Sequence, residues 1–291
     1  MNKIVITGSS GRIGRALYWL LSQEYQVKGV DISASSSTSI INDIKDYKSL
    51  PRIFEGSDTI FHSAALHAPH VDLFSEKEFY DINVNATEKI CKAAIECGVS
   101  HIVFTSTTAL YGYANQEKDK AVWVDEQTIP KPKTIYHKTK LEAESVVKEY
   151  SSKNLSISVM RVSRCFPEPA QKMAVYRLHR GVDYRDVAKA HVLAGHLRKK
   201  KEFDIYIVSG STPFLKSDCV QLREDPESII RERHPQIASE FDLRGWKFPE
   251  SIDRVYDSIY CQKTLGWQPE KGPLDVFKQF DNKDFEVLPP S

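Results

Sequence analysis

Tyr136 and Lys140, in the run YHKTK, are the two side chains whose types and spacing best make an acid–base device. A helix is predicted from about Tyr136 to Tyr150, and residues four apart on a helix share a face, one turn from each other. An ammonium placed there favours phenolate over phenol and brings the tyrosine pKa toward working pH. A bare YxxxK run arises often by chance, so its weight depends on its companions. One companion is FTSTTALYG (104–112), which puts the hydroxyls of Ser106 and Thr107 at the end of an expected strand.

The second companion is TGSSGRIG (7–14), with Gly8, Gly11 and Gly14 three positions apart and Ser10, Arg12 and Ile13 between them. It stands between a predicted strand, KIVIT, and a predicted helix marked by Ile13, Ala16, Leu17, Leu20 and Leu21. Glycine suits such a loop because the backbone must turn sharply, approach a pyrophosphate and let the helix pack on the strand, with phosphate at the helix N-terminus. Asp31 closes the next strand, about twenty residues on, where a carboxylate accepts from ribose hydroxyls. No Lys or Arg stands between Ile32 and Ser39 to neutralise a 2′-phosphate, which favours NAD over NADP. Arg12 is the one basic side chain in the loop with reach to a pyrophosphate or a 2′-phosphate.

Positioning these groups requires a sheet. QVKGVD (26–31), SIIND (39–43), DTIFHSA (58–64), HIVFTST (101–107) and SISVMRV (156–162) read as further strands. Helices are predicted over 76–97, where Phe79, Ile82, Ala86, Ile90, Ala93 and Ala94 share a face, and over 184–198. This alternation predicts an α/β fold: a doubly wound parallel, Rossmann-like sheet with a smaller C-terminal lobe. The expected partition is residues 1–165, joined by about 182–210, as the NAD-binding domain. Residues 166–181 and 211–291 form the substrate-side lobe.

Lys plus Arg number 40 and Asp plus Glu 39, so no global field draws nucleic acid or an anionic membrane. The basic run Arg198–Lys201 suits a helix C-terminus. The start MNKIVITGSSG lacks the pattern of a signal peptide, and no apolar run is long enough to span a bilayer, so a cytoplasmic location is expected. Five scattered cysteines without a CxxC pair indicate reduced, mostly buried thiols and no metal site.

With these motifs in hand, the chain resembles the extended short-chain dehydrogenases/reductases, the NAD-dependent epimerase/dehydratase family. The resemblance runs through TGSSGRIG, Asp31, NDI (42–44), HSAA (62–65), NVNAT (83–87), FTSTTALYG, YHKTK, DYRDVAKAH (183–191) and KTLGWQP (263–269). It implies Tyr136 as acid/base and Lys140 as the residue that lowers its pKa and holds the nicotinamide ribose. Thr107, with Ser106 beside it, would hydrogen-bond the substrate oxygen. It also implies Asp43 and Ile44 beside the adenine, Ala64 and Ala65 on the pyrophosphate side, and Asn83 as a structural bridge near the cofactor. His62 reads as an interior histidine rather than a base. His67, His70, Arg177, His179 and Arg180 read as polar loop residues, one or two of them within reach of substrate.

Departures narrow the chemistry. Dehydratases of this family carry an Asp-Glu pair where this chain has Thr108 and Ala109, which argues against water elimination. The segment between the strand ending at Val162 and DYRDVA is short, with little room to grip a nucleotide diphosphate, and CFPEP (165–169) is similar to the compact uronate dehydrogenases. The expected function is Tyr-Lys hydride chemistry on a small sugar or sugar-like substrate, as epimerase or dehydrogenase. Alternatives are a UDP-sugar 4-epimerase, an aldehyde or ketone reductase, and a non-catalytic dinucleotide-sensing scaffold. A homodimer through the two long helices is compatible with the resemblance.

Overall fold

The computed structural model describes residues 3–113, 119–196 and 201–289. Arg198 to Lys200 of the basic run lie outside the described residues. In chain order the first elements are β1 (Lys3–Thr7), α1 (Arg12–Leu21), β2 (Gln26–Asp31), β3 (Ile40–Ile41), α2 (Leu50–Phe54) and β4 (Thr59–His62). There follow α3 (Glu76–Tyr80), a π-helical turn (Asp81–Asn85), α4 (Ala86–Glu96), β5 (His101–Thr107), β6 (Val122–Val124), α5 (Ile135–Tyr150) and β7 (Ser156–Val162). The remainder comprises β8 (Glu168–Pro169), α6 (Ala170–His179), α7 (Tyr184–His196), β9 (Phe203–Val208), α8 (Cys219–Glu224), α9 (Pro226–Arg233) and α10 (Pro235–Arg244). It closes with β10 (Arg254–Tyr256), α11 (Ile259–Leu265), α12 (Pro273–Asp281) and β11 (Val287–Leu288).

Seven strands form a parallel sheet in the order β3-β2-β1-β4-β5-β7-β9. The order reverses between β1 and β4, which pair from Ile4↔Thr59 to Thr7↔His62. Such a reversal opens a crevice at the strands' carboxyl ends, where ligands bind in open α/β sheets. The expected helix over 76–97 is one run of helix interrupted: the π-turn inserts where Asn83 and Val84 are buried.

Two compact units divide the chain. The first takes Met1–Gly112, Pro130–Arg161 and Val187–Tyr206; the second takes Tyr113–Ile129, Val162–Asp186 and Ile207–Ser291. The core of the first is aliphatic and sheet-centred, with Val5, Val30, Ile60, Ile102, Phe104 and Val159 nearly or fully buried. The second is built around Met173, Phe214, Phe241, Ile252 and Phe277. Trp246 stacks on Phe277 there, at 5.5 Å between centroids. The partition differs from the sequence expectation at 113–129, which joins the second unit because β6 pairs with β10 from Val122↔Arg254 to Val124↔Tyr256. Its boundary also falls at Val162 rather than 165, and 182–186 and 207–210 go with the second unit.

Candidate active site

The glycine loop is fixed by backbone contacts that exclude side chains. Gly8 has φ +74°, and a Cβ on it would stand 2.6 Å from the Ala64 nitrogen. A Cβ on Gly14 would fall 2.1 Å from the Gly8 oxygen, so α1 packs directly on the loop that feeds it. Gly11 is the N-cap of α1; no side chain caps it and no acidic side chain stands in the first turn. Helix-start N–H groups arranged in this way suit an anion. The Asp31 carboxylate accepts from the Ser10 N–H at 3.0 Å and from the Ser33 N–H at 3.0 Å, which ties the end of β2 to the loop. A carboxylate has about four acceptor positions, so two hydrogen bonds leave capacity for ribose hydroxyls. These residues fit a dinucleotide: a cradle that a Cβ would fill, an uncapped helix start and a fixed carboxylate.

The serine-rich stretch 33–39, which carries no motif, folds back as a prop. Ser37 donates to the Ser9 oxygen at 2.7 Å, and the hydroxyls of Ser9 and Thr38 lie 3.0 Å apart. Asp43 is half-buried and accepts from the Lys45 N–H at 2.9 Å, while Ile44 belongs to the sheet core. Arg12, Ile13, Ala64 and Ala65 are half-buried in and beside the loop.

α5 begins at Thr134, whose hydroxyl accepts from the His137 N–H, and this start puts Tyr136 in the first turn. Tyr136 is 8% exposed, and its ring packs with Leu66 and Phe79. Lys140, 3% exposed, donates from Nζ to the Thr105 carbonyl at 2.8 Å and stands 4.1 Å over the Phe104 ring. Burial pushes its pKa down to about 7, opposed by the Glu144 carboxylate. Thr107 ends β5 and accepts from the Ala109 N–H at 3.1 Å. Ser106 is engaged differently: its hydroxyl donates to Glu144 at 2.5 Å. Thr107 is therefore the hydroxyl of the two that is not committed to a carboxylate.

Asn83 bridges elements as expected, but through the segment after β4 and through α5. Its Oδ1 accepts from Leu66 N–H at 2.8 Å, and its Nδ2 donates to the Leu66 oxygen and to the Thr139 hydroxyl, each at 3.1 Å. With its amide spent on protein groups and 1% exposed, it supports the site rather than touching a cofactor. His62 is the interior histidine the sequence suggested. Thr87 spends its hydroxyl hydrogen on the Asn83 oxygen, so it accepts from His62 Nε2–H at 3.0 Å while Nδ1 accepts from Thr7 at 2.8 Å. Burial holds this ring neutral, with its pKa near 3.

In the second unit, Arg177 and His179 lie on α6 and are buried, which corrects their reading as loop residues. Arg177 donates to Asp183 at 3.1 Å and to the Lys271 oxygen at 2.9 Å. Burial would raise the Asp183 pKa, but hydrogen bonds from Arg185 and the charge of Arg177 hold it well below the ordinary carboxylate range. Arg177 is thereby committed to the fold and not to a substrate carboxylate. Arg164 pairs with Glu168, and Arg180 pairs with Asp253 at 3.3 Å while lying 4.4 Å over the Tyr176 ring. Two of the resembling motifs meet here, as Trp267 donates to the Asp186 oxygen at 3.1 Å. The residues that sequence reasoning missed are Glu144 and Arg161. Glu144 was within reach, four positions beyond Lys140 on the same helix face.

Among the described residues, no cluster of His, Cys, Asp and Glu could hold a metal, all five cysteines are free, and no helix is long and apolar enough to cross a membrane. The UDP-glucose 4-epimerase of Halalkalibacterium halodurans is 33% identical, over 94% of this chain and 92% of its own length. The L-arabinose 1-dehydrogenase (NAD(P)(+)) of Haloferax volcanii is 25% identical, over 53% of this chain and 63% of its own. For some curated relatives, this dehydrogenase among them, the chain spans only about half to two thirds of the relative's length. A solved structure of MoeE5 in complex with UDP-glucose and NAD shares the fold, with a TM-score of 0.70 at 20% identity, covering 97% of this chain and 99% of that one. The model of the NAD dependent epimerase/dehydratase family matches residues 4–178, and with the glycine cradle, Asp31 and the Tyr136–Lys140 pair in place, the chain belongs to that family.

Proposed function

We propose that this enzyme transfers hydride between NAD and a hydroxyl- or carbonyl-bearing carbon of a sugar or sugar-like substrate. The observation that carries the reading is the pair on α5: Tyr136 and Lys140 one turn apart and buried, with Lys140 bound to the strand that ends in Thr107. When bound, NAD supplies the nicotinamide carbon that takes or gives the hydride. Tyr136 holds and returns the proton of the substrate oxygen at its Oη, Thr107 donates to that oxygen, and Lys140 favours the phenolate. Asp31 holds the adenosine ribose, and the start of α1 faces the pyrophosphate. Tyr136→Phe should lower turnover at least about a hundredfold while NAD affinity, by calorimetry, stays within about twofold. Turnover near wild type in that variant would remove the assignment.

For substrate, we infer a free sugar, a sugar acid or a related alcohol, oxidised with net reduction of NAD. Support comes from the brevity of the segment between β7 and α7, which holds only β8 and α6, and from the similarity to an arabinose dehydrogenase. Of the arginines weighed against a substrate carboxylate, Arg164 and Arg180 are partly exposed, each paired with a protein carboxylate. The second reading, a redox-neutral UDP-sugar 4-epimerase, is favoured by the relative that aligns along nearly the whole chain. Calorimetry on NAD-loaded protein with glucuronate, L-arabinose and UDP-glucose separates them. Micromolar UDP-glucose binding with epimerisation would replace the first reading by the second. The same reading places the enzyme in the cytoplasm, as free thiols suit, and as a homodimer through α4 and α5, which light scattering in solution would test.

A further inference from the structure

Ser106, Tyr111, Glu144 and Arg161 form a buried polar network in the first unit, and none of them has a part in the proton and hydride steps above. Arg161 gives its Nε to both Glu144 oxygens, at 3.1 and 3.2 Å, and its Nη2 to Oε2 at 2.6 Å. Its Nη1 donates to the Tyr111 hydroxyl at 2.8 Å, and its guanidinium lies 5.3 Å from that ring. Glu144 also accepts from Ser106. The members stand on different elements, two of them beside a reacting group. Ser106 precedes Thr107 on β5, Tyr111 lies in the turn that follows, Glu144 is one turn beyond Lys140 on α5, and Arg161 is on β7. Both charged side chains are 5% exposed. Taking two charges out of water costs more than their attraction commonly returns, and an apolar pair of the same volume is often at least as stable. Stability alone is therefore a poor account of this pair.

We propose that Glu144 and Arg161 are positioning residues for the Tyr136–Lys140 chemistry: their ion pair fixes α5 in rotation and depth against β7, Ser106 ties the same carboxylate to β5, and the Glu144 charge stands one turn from the Lys140 ammonium. The inference rests on the Tyr-Lys reading above. Of the groups around the Lys140 ammonium, one carries a charge. From β5 come the Thr105 carbonyl and the Phe104 ring, from β4 the neutral His62, from the segment beyond it His67, and from its own helix Tyr136 and Glu144. Of these, Glu144 supplies the carboxylate that opposes the effect of burial.

Three variants test this. Glu144→Gln keeps the shape and an acceptor oxygen but loses the charge. A carbon-13 NMR titration of the Lys140 Cε in unliganded protein should show the lysine pKa falling about one unit further, with Glu144→Asp restoring it. The alkaline fall of kcat should move to lower pH by the same amount, read with glucuronate, L-arabinose and UDP-glucose at saturating NAD. Glu144→Leu combined with Arg161→Met should melt at or above the wild-type temperature yet lose kcat at least about tenfold, with KM for NAD little changed. An unshifted Lys140 titration, wild-type turnover in the apolar pair, or failure of that pair to fold would each overturn the proposal. The last result would make the ion pair a stability element. The Lys140 titration reads the charge coupling whatever reaction is catalysed, whereas an active Tyr136→Phe enzyme would sink the Tyr-Lys reading itself.

Discussion

Lys140 owes its properties to what surrounds it more than to its own chemistry: burial pushes its pKa down to about 7, and on the proposed reading it serves both a phenol and a ribose. Lys140→Ala should therefore damage turnover and NAD affinity together, unlike Tyr136→Phe. Intact NAD affinity by calorimetry would confine the lysine to the proton step. Asp31, fixed by two backbone N–H groups, should set cofactor choice by accepting from ribose hydroxyls and repelling a 2′-phosphate. Asp31→Ala should narrow the preference for NAD over NADP in binding titrations, and equal affinities in the unaltered protein would point to Arg12. At this scale the sequence was informative wherever chemistry needs one residue type at one spacing, as for Gly8, Gly14, Asp31, Tyr136 and Lys140. It was silent where function follows from partners distant in sequence. Arg177 looked like a loop cation until α6 brought it to Asp183, and Arg161 looked like an ordinary strand residue until β7 brought it under Glu144.

Elements explain why the glycines matter. A Cβ at Gly14 meets the Gly8 oxygen and one at Gly29 falls 1.7 Å from the Ser37 oxygen, so β2, the serine-rich loop and α1 close on one another through backbone. Gly14→Ala should cost about 1–3 kcal/mol of folding stability by denaturant titration and weaken NAD binding, because α1 must move off the loop. A loss confined to stability would show that the helix start and the cofactor are uncoupled. The strands β1, β2, β5 and β7 were legible to the residue from β-branched runs. The helix over 76–97 was legible as a helix, but not its π-turn, where Asn83 reaches Leu66 and Thr139, contacts that periodicity does not encode. The helices α8 to α12 went unread because the second unit is short-helical and rich in Pro and Trp, with its apolar positions meeting across several elements.

For the whole molecule, the buried histidines predict a one-sided response to acid. His62 and His179 are held near 3 and His191 near 4, in each case by burial first. An unfolded histidine titrates near 6.5, so protonation favours the unfolded chain. The stability these rings contribute is complete above about 6.5 and is lost as pH falls toward 4, at roughly 1.4 kcal/mol per pH unit each and about 4 together. The urea midpoint should drop steeply between pH 6.5 and 5, and a flat profile there would mean that one or more of these rings is solvated. Lys140 acts in the same sense at higher pH, since its charge is cheaper in the unfolded chain between about 7 and 10.5.

The pairing of β6 with β10 has a consequence in time. Trp123 and Asp257, which clasp at 2.9 Å beside that ribbon, are 134 positions apart, and β8 waits for β11 at the far end of the chain. Closing such long loops is slow and entropically costly. All segments of the first unit are present once synthesis has passed Tyr206, but in the second β6 has no strand to pair with until Arg254–Tyr256 emerge. During translation β6 must therefore remain an unpaired strand until β10 is made, open to proteases and to other chains. A chain ended at Glu250 should reproduce that state, with rapid proteolytic cuts within 119–129 and a resistant first unit.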